Sequence, residues 1–145
     1  MEAATPQPVP HVAEARLRVR YAETDQMHVV YHSNYVIWFE VGRVELMRSL
    51  GYTYRELEQD GYHLPVAEVR CRFKKPALYD DLIIVRARMT QLRSTLIRFG
   101  YEVLRESDGE LLAEGETVHL VAGPEFKLAP LPPKYLVPFR KAAGL

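Results

Sequence analysis

One stretch of this chain has helical length and period, and almost everything after it reads as strand. Between residues 33 and 50, Val36, Ile37, Phe39, Val41, Val44, Leu46, Met47 and Leu50 cover more than one narrow stripe of a helical surface. Glu40, Arg43, Glu45 and Arg48 are left with the remaining arc. A helix so apolar must be largely enclosed, and at ~1.5 Å per residue it is about 27 Å long. Ser33 is the expected N-cap and Gly51 the expected stop. Before it, residues 15–21 alternate apolar side chains with arginines, the pattern of a half-buried strand. After a short helix over 54–60, extended segments follow at 63–73, 82–92, 96–106 and 110–121, the last two joined by the Ser107-Asp108-Gly109 turn. Strand, long helix, four consecutive strands: this order predicts an α+β fold with an antiparallel sheet wrapped around the helix. Arg86 and Arg88 share the other sheet face with Leu82 and Ile84, so part of that face is expected to meet another subunit. Residues 123–133 are too proline-rich for regular structure, and 134–142 suit a terminal helical turn.

Residues 1–13 read as a flexible proline-rich tail and 14–145 as a single domain. Nineteen basic and nineteen acidic side chains cancel, which removes any general reason to expect nucleic acid as a partner. No apolar run approaches the ~20 residues that membrane insertion needs, and the N-terminal residues lack the basic-then-apolar pattern of a signal peptide. Cys71 is the only cysteine, so no intrachain disulfide forms, and a cytoplasmic location is expected.

The chemistry-bearing stretch runs from Arg20 to Tyr35, between the first strand and the most apolar helix. Unpaired backbone N–H groups and the positive end of the helix dipole stabilise an oxyanion there, and Asp25 supplies a carboxylate that attacks or activates water. Tyr31, His32, Asn34 and Tyr35 crowd the same helix start, where packing and local hydrogen bonding are their competing roles. His28 and His32 have i,i+4 spacing, but Val29-Val30 disfavours a helix reaching back to His28, so no metal is expected. Glu40 and Glu45 are the next carboxylates, read as solvated or salt-bridged. Arg70, Arg72, Lys74 and Lys75 form the densest basic run, suited to phosphate groups.

Asp25, followed by Val29-Val30-Tyr31-His32-Ser33-Asn34-Tyr35, resembles the 4-hydroxybenzoyl-CoA thioesterase/YbgC-like acyl-CoA thioesterase family. The 75–81 segment and the Arg93-Ser94 turn are similar to that family too. The resemblance implies a hotdog fold, a long central helix wrapped by a five-stranded antiparallel sheet, whose subunits pair into dimers and often tetramers. It also implies acyl-CoA as substrate, bound at the dimer interface, with Asp25 as nucleophile or general base and the backbone N–H at His32 polarising the thioester carbonyl. Tyr31, Asn34, Tyr35, Lys74, Lys75 and Ser94 are the expected substrate-binding residues, and no cofactor is implied beyond the CoA of the substrate. The family usually has glycine where this chain has His28, a position whose backbone angles histidine visits less readily. Two other functions fit such a chain: a hotdog hydratase or dehydratase using a histidine side chain, and a non-catalytic acyl-CoA-binding scaffold.

Overall fold

The computed structural model describes residues 10–145, so most of the segment read as a tail lies outside the described residues. Five strands form one antiparallel sheet: β1 (Val12–Arg18), β2 (Val66–Phe73), β3 (Leu82–Arg93), β4 (Leu96–Arg105) and β5 (Leu111–Leu120), in the spatial order β1-β3-β4-β5-β2. The long helix α1 (Ser33–Ser49) lies across one face, with α2 (Tyr54–Gln59) and α3 (Pro133–Ala142) at its flank. This is the expected hotdog arrangement.

Three strand boundaries differ from the sequence reading by more than one residue. β1 begins at Val12, inside the segment read as tail, because Ala13 and Ala15 continue the inward alternation with side chains too small to announce it. At its other end the chain leaves the sheet after Val19. Tyr21 enters a short 3-10 turn instead of facing the core, and is 77% exposed with its ring edge-on to Tyr79. β2 starts at Val66 and not at residue 63, since Pro65 has no N–H to give the ladder. His63 still makes a bridge to Ala122, and the Pro65 carbonyl accepts from Leu120 at 3.1 Å.

α1 packs on the sheet through Tyr35, Trp38, Phe39, Gly42, Leu46 and Met47. Gly42 allows this closeness, because a Cβ there would sit 2.8 Å from Val85 Cγ1. Gly115 of β5 makes room for Phe39, which would otherwise lie 2.8 Å from an added Cβ, and Phe39 stacks on Tyr101 at 4.4 Å. The helix ends as expected at Gly51, with φ of 88°. The N–H groups of Gly51 and Tyr52 return to the carbonyls of Arg48 and Met47 at 2.9 and 3.0 Å, the paired bonds of a Schellman stop. Its start differs: Ser33 is the first helical residue, and His32 holds the cap position with helical angles and no side-chain cap.

Enclosure of α1 is only partial within one chain. Val36, Ile37 and Val41 remain exposed, Ile37 by 53%. The edge strand β2 is exposed along its length as well, Val66, Val69 and Phe73 included.

Candidate active site

The loop from Thr24 to Tyr31 is fastened at its base by Glu23. This carboxylate is buried, an unusual state for an acid, and each of its oxygens has a donor. Oε1 accepts the Arg20 N–H at 2.8 Å and lies 3.5 Å from Arg20 Nε, and Oε2 accepts the Trp38 indole N–H at 3.0 Å. The Glu23 carbonyl closes the loop, accepting from Tyr31 N–H at 2.8 Å and Asn34 Nδ2 at 3.0 Å. Glu23 thereby ties the end of β1 to the second turn of α1. Nothing in the sequence singles Glu23 out for this role. Its indole partner lies fifteen residues on, so no local spacing reveals the pair.

Inside that frame Asp25 makes a tight turn of its own. Its N–H bonds Val29 O at 3.0 Å, its carbonyl accepts from His28 N–H at 2.9 Å, and its Oδ1 accepts from Met27 N–H at 2.8 Å. His28 sits at φ 64°, in the left-handed region where glycine is at ease. The family's usual glycine at this position thus has a backbone reason, and this chain holds the same turn with a histidine. No described side chain donates to Asp25 Oδ2.

Asp25, His32, Tyr35, Lys74 and Lys75 share an open cavity of about 300 Å³ whose apolar lining is Met27, Val29, Val30, Phe73 and Pro76. Tyr35 is buried and its hydroxyl accepts the Ala77 N–H at 3.1 Å; burial raises its pKa, so it stays a phenol. The His32 ring packs on Tyr31 at 4.3 Å and edge-on to Phe73 at 6.4 Å. Lys74 and Lys75 are already engaged at the surface, by Glu114 at 3.5 Å and Glu110 at 2.9 Å. Exposed pairs of this kind are weak enough to exchange for a phosphate.

The N–H groups of Val30, Tyr31, Asn34 and Tyr35 all find backbone acceptors. Those of His32 and Ser33 have none among the described contacts, which leaves two free donors where the helix begins.

Three sequence-predicted residues stand apart from the cavity. Tyr31 is exposed, its ring tilted against that of His32. Asn34 spends its side-chain amide on the Glu23 and Tyr31 carbonyls, so it fixes the loop. Ser94 lies in the β3–β4 turn, roughly 35 Å along β3 from the end where the Asp25 loop leaves the sheet. Within one chain it does not reach the cavity. Burial pushes the Cys71 thiol up to about 11, which keeps it un-ionised. Among the described residues, no three His, Cys, Asp or Glu side chains are arranged to hold a metal, and no helix is long and apolar enough to cross a membrane.

Residues 19–139 match the family model described as the thioesterase-like superfamily. YneP of Bacillus subtilis is 36% identical over 79% of this chain and 83% of its own length. The acyl-CoA thioester hydrolase YbgC of Escherichia coli is 27% identical, over 86% of this chain and 93% of YbgC. Among solved structures, the DHNA-CoA thioesterase of Staphylococcus aureus superposes with a TM-score of 0.82 at 31% identity, covering 90% of this chain and 87% of that one.

Proposed function

The chain belongs to the thioesterase-like superfamily and is a thioester hydrolase, and from that premise we propose that it splits an acyl-CoA into free acid and CoA beside Asp25. One observation carries this assignment of the site: Asp25, with one carboxylate oxygen held and no described donor to the other, lines the same cavity as His32, where α1 begins with the unpaired N–H groups of His32 and Ser33. The carboxylate either attacks the thioester carbonyl or takes a proton from the attacking water. The helix-start donors stabilise the oxyanion that forms, an effect worth roughly 3–4 kcal/mol per donor. The CoA thiolate leaves readily, so the reaction as proposed needs no strong general acid, metal or organic cofactor.

The same reading includes a second copy of the chain. β2 is an edge strand with an unused hydrogen-bonding side, flanked by the exposed Val36, Ile37 and Val41 of α1. Pairing two β2 edges antiparallel about a two-fold axis joins the sheets and covers those apolar residues. It sets the Val66 end of one strand beside the Phe73 end of the other. The β3–β4 turn lies at the Val66 end, so Ser94 of the partner subunit comes to the same end of the joined sheet as the Asp25 cavity. The test is thiol release from a panel of acyl-CoA esters. Turnover of at least one ester supports hydrolysis at this site, and binding without release of thiol across the panel would replace it with a scaffold.

A further inference from the structure

Residues 76–78 run between β2 and β3 without joining a strand, and Pro76 belongs to the lining of the Asp25 cavity. Backbone groups outside a ladder must find partners elsewhere, and these find theirs across the fold. The Ala77 N–H donates to the Tyr35 hydroxyl at 3.1 Å, and the Ala77 carbonyl accepts from Val30 N–H at 2.9 Å. Both bonds lead to the proposed site: Tyr35 lines the cavity, and Val30 follows Val29, whose carbonyl accepts the Asp25 N–H at 3.0 Å. The other bonds lead to Arg105, at the end of β4. Its Nη2 donates to the Pro76 carbonyl at 3.1 Å, and its Nε to Asp81 Oδ2 at 3.2 Å. That same carboxylate oxygen accepts the Leu78 N–H at 2.9 Å. A third limb, Nη1, reaches Asp108 Oδ2 in the β4–β5 turn at 2.9 Å. The wider segment is pinned at one end by the Leu112 carbonyl, which accepts from Lys74 and Lys75, and at the other by Val19, which pairs with Asp80 and Asp81. Between those pins, Arg105 is the one strand residue that holds 76–78 among the described hydrogen bonds.

We propose that Arg105 is a positioning residue for the hydrolysis: it sets where the Ala77 carbonyl meets Val30, and thereby where the Asp25 turn stands against the start of α1. The proposal rests on the reading that Asp25 acts. Arg105 itself is not part of the cavity lining, so its influence passes through residues 76–78. A guanidinium suits the task because its planar fork holds acceptors in fixed directions, where an ammonium is only a point charge. Arg105 and Asp81 are both half-buried, which screens their charge-assisted bond less than that of a surface pair. A misplacement of about 1 Å costs roughly 10²-fold in rate even when its origin lies away from the chemistry.

The test is Arg105→Lys in the full chain, read by amide hydrogen exchange and by steady-state thiol release. A lysine cannot reach Pro76, Asp81 and Asp108 at once, so the Val30 and Ala77 amides exchange roughly tenfold faster than in wild type. Val85, within β3, is the reference for opening of the whole fold. The value of kcat falls by roughly 10–100-fold while KM moves by less than about twofold, because the cavity lining is unchanged. Asp108→Asn weakens one limb of the same cluster and leaves the bonds to Pro76 and Asp81, so exchange and kcat stay at their wild-type values. Asp81→Asn removes the charge that faces Arg105 and moves both readouts as Arg105→Lys does, by a smaller factor; it decides where the lysine variant does not fold. Unchanged exchange at Val30 and Ala77, faster exchange with kcat unchanged, or an equal fall in kcat for Asp108→Asn overturns the proposal. Full turnover by Asp25→Asn is a separate failure: it overturns the role of Asp25, and this proposal with it, without reference to any Arg105 variant.

Discussion

Replacing Asp25 by asparagine removes the charge and almost nothing else. The only bond made by the aspartate side chain among the described contacts is to the Met27 N–H, at 2.8 Å through Oδ1. An asparagine Oδ1 accepts the same bond, so the turn that presents residue 25 survives. Stability is then expected to change by no more than ~0.5 kcal/mol, a melting shift of about 2 °C or less. Asp25→Ala serves as the contrast, because it loses that bond and with it about 1 kcal/mol. Catalysis responds in the opposite order of magnitude. An amide is a poor nucleophile and no base, and loss of a general base costs roughly 10²–10⁴-fold in rate, equivalent to ~3–5 kcal/mol of barrier. The unpaired N–H groups of His32 and Ser33 remain, so a residual rate above the uncatalysed one persists. The assay is thiol release at saturating acyl-CoA, run beside a melting curve and a binding isotherm for the same variant. A folded, substrate-binding Asp25→Asn protein with kcat within tenfold of wild type would refute the role given to Asp25, and Glu40 and Glu45 would be the next carboxylates to replace.

Three further outcomes follow from named contacts. His28→Gly relieves a left-handed backbone, a cost of ~1–2 kcal/mol for a side-chain-bearing residue, against ~0.5–1 kcal/mol for the extra freedom of glycine when unfolded. The melting temperature should hold or rise by a few degrees, whereas His28→Val should lower it. Burial pulls the His119 pKa down from 6.5 to about 4, so the unfolded chain binds the proton more readily than the folded one. The associated stability, on the order of 3 kcal/mol, is complete above pH ~6.5 and drains away as the pH falls towards 4. His119→Gln should flatten that slope in denaturant titrations across the window, although it lowers stability at neutral pH. Val69→Asp places a charge on the exposed edge strand, and light scattering should show it shifting the protein from a dimer or larger assembly to monomer, with loss of thiol release. A wild type that is already monomeric at micromolar concentration would end the shared-site reading.

The order of elements was legible because each long segment carries a period its environment enforces. β3 and β4 show it plainly: Ile83, Val85, Ala87 and Met89 are buried while their neighbours are not, and the same holds for Ile97, Phe99, Tyr101 and Val103. The start of β1 is not legible because Ala13 and Ala15 contribute little contrast, and Tyr21 reads as core only because an aromatic at an alternating position looks like it. α1 is the instructive case. Its breadth of apolar residues predicted enclosure, and a single chain encloses only the Tyr35–Trp38–Phe39–Leu46 side. Val36, Ile37 and Val41 stay exposed, and the proposed pairing of two β2 edges is what would cover them.

At the site, the residues legible in sequence are those whose role is local. Asp25, His32 and Tyr35 lie within eleven residues of one another and meet in one cavity, and Lys74 and Lys75 arrive there because β2 ends at Phe73. Glu23 was not legible, although the loop depends on it. Its function comes from two donors that approach from opposite sides, the Arg20 N–H at the end of a strand and the Trp38 indole in the second turn of a helix. A carboxylate with a donor on each oxygen cannot be replaced neutrally. In Glu23→Gln one of the two donors must face an NH₂ group that cannot accept, leaving a buried polar group unpaired at a cost of about 1–3 kcal/mol. Glu23 touches no part of the cavity that holds Asp25, so whatever it contributes to turnover passes through the geometry of the loop. Its substitution should therefore lower kcat while leaving KM nearly unchanged. An equal loss in both would mean instead that the cavity walls had collapsed. The carboxylate proposed to act and the carboxylate that holds its loop differ by two positions in sequence, and their burial tells them apart.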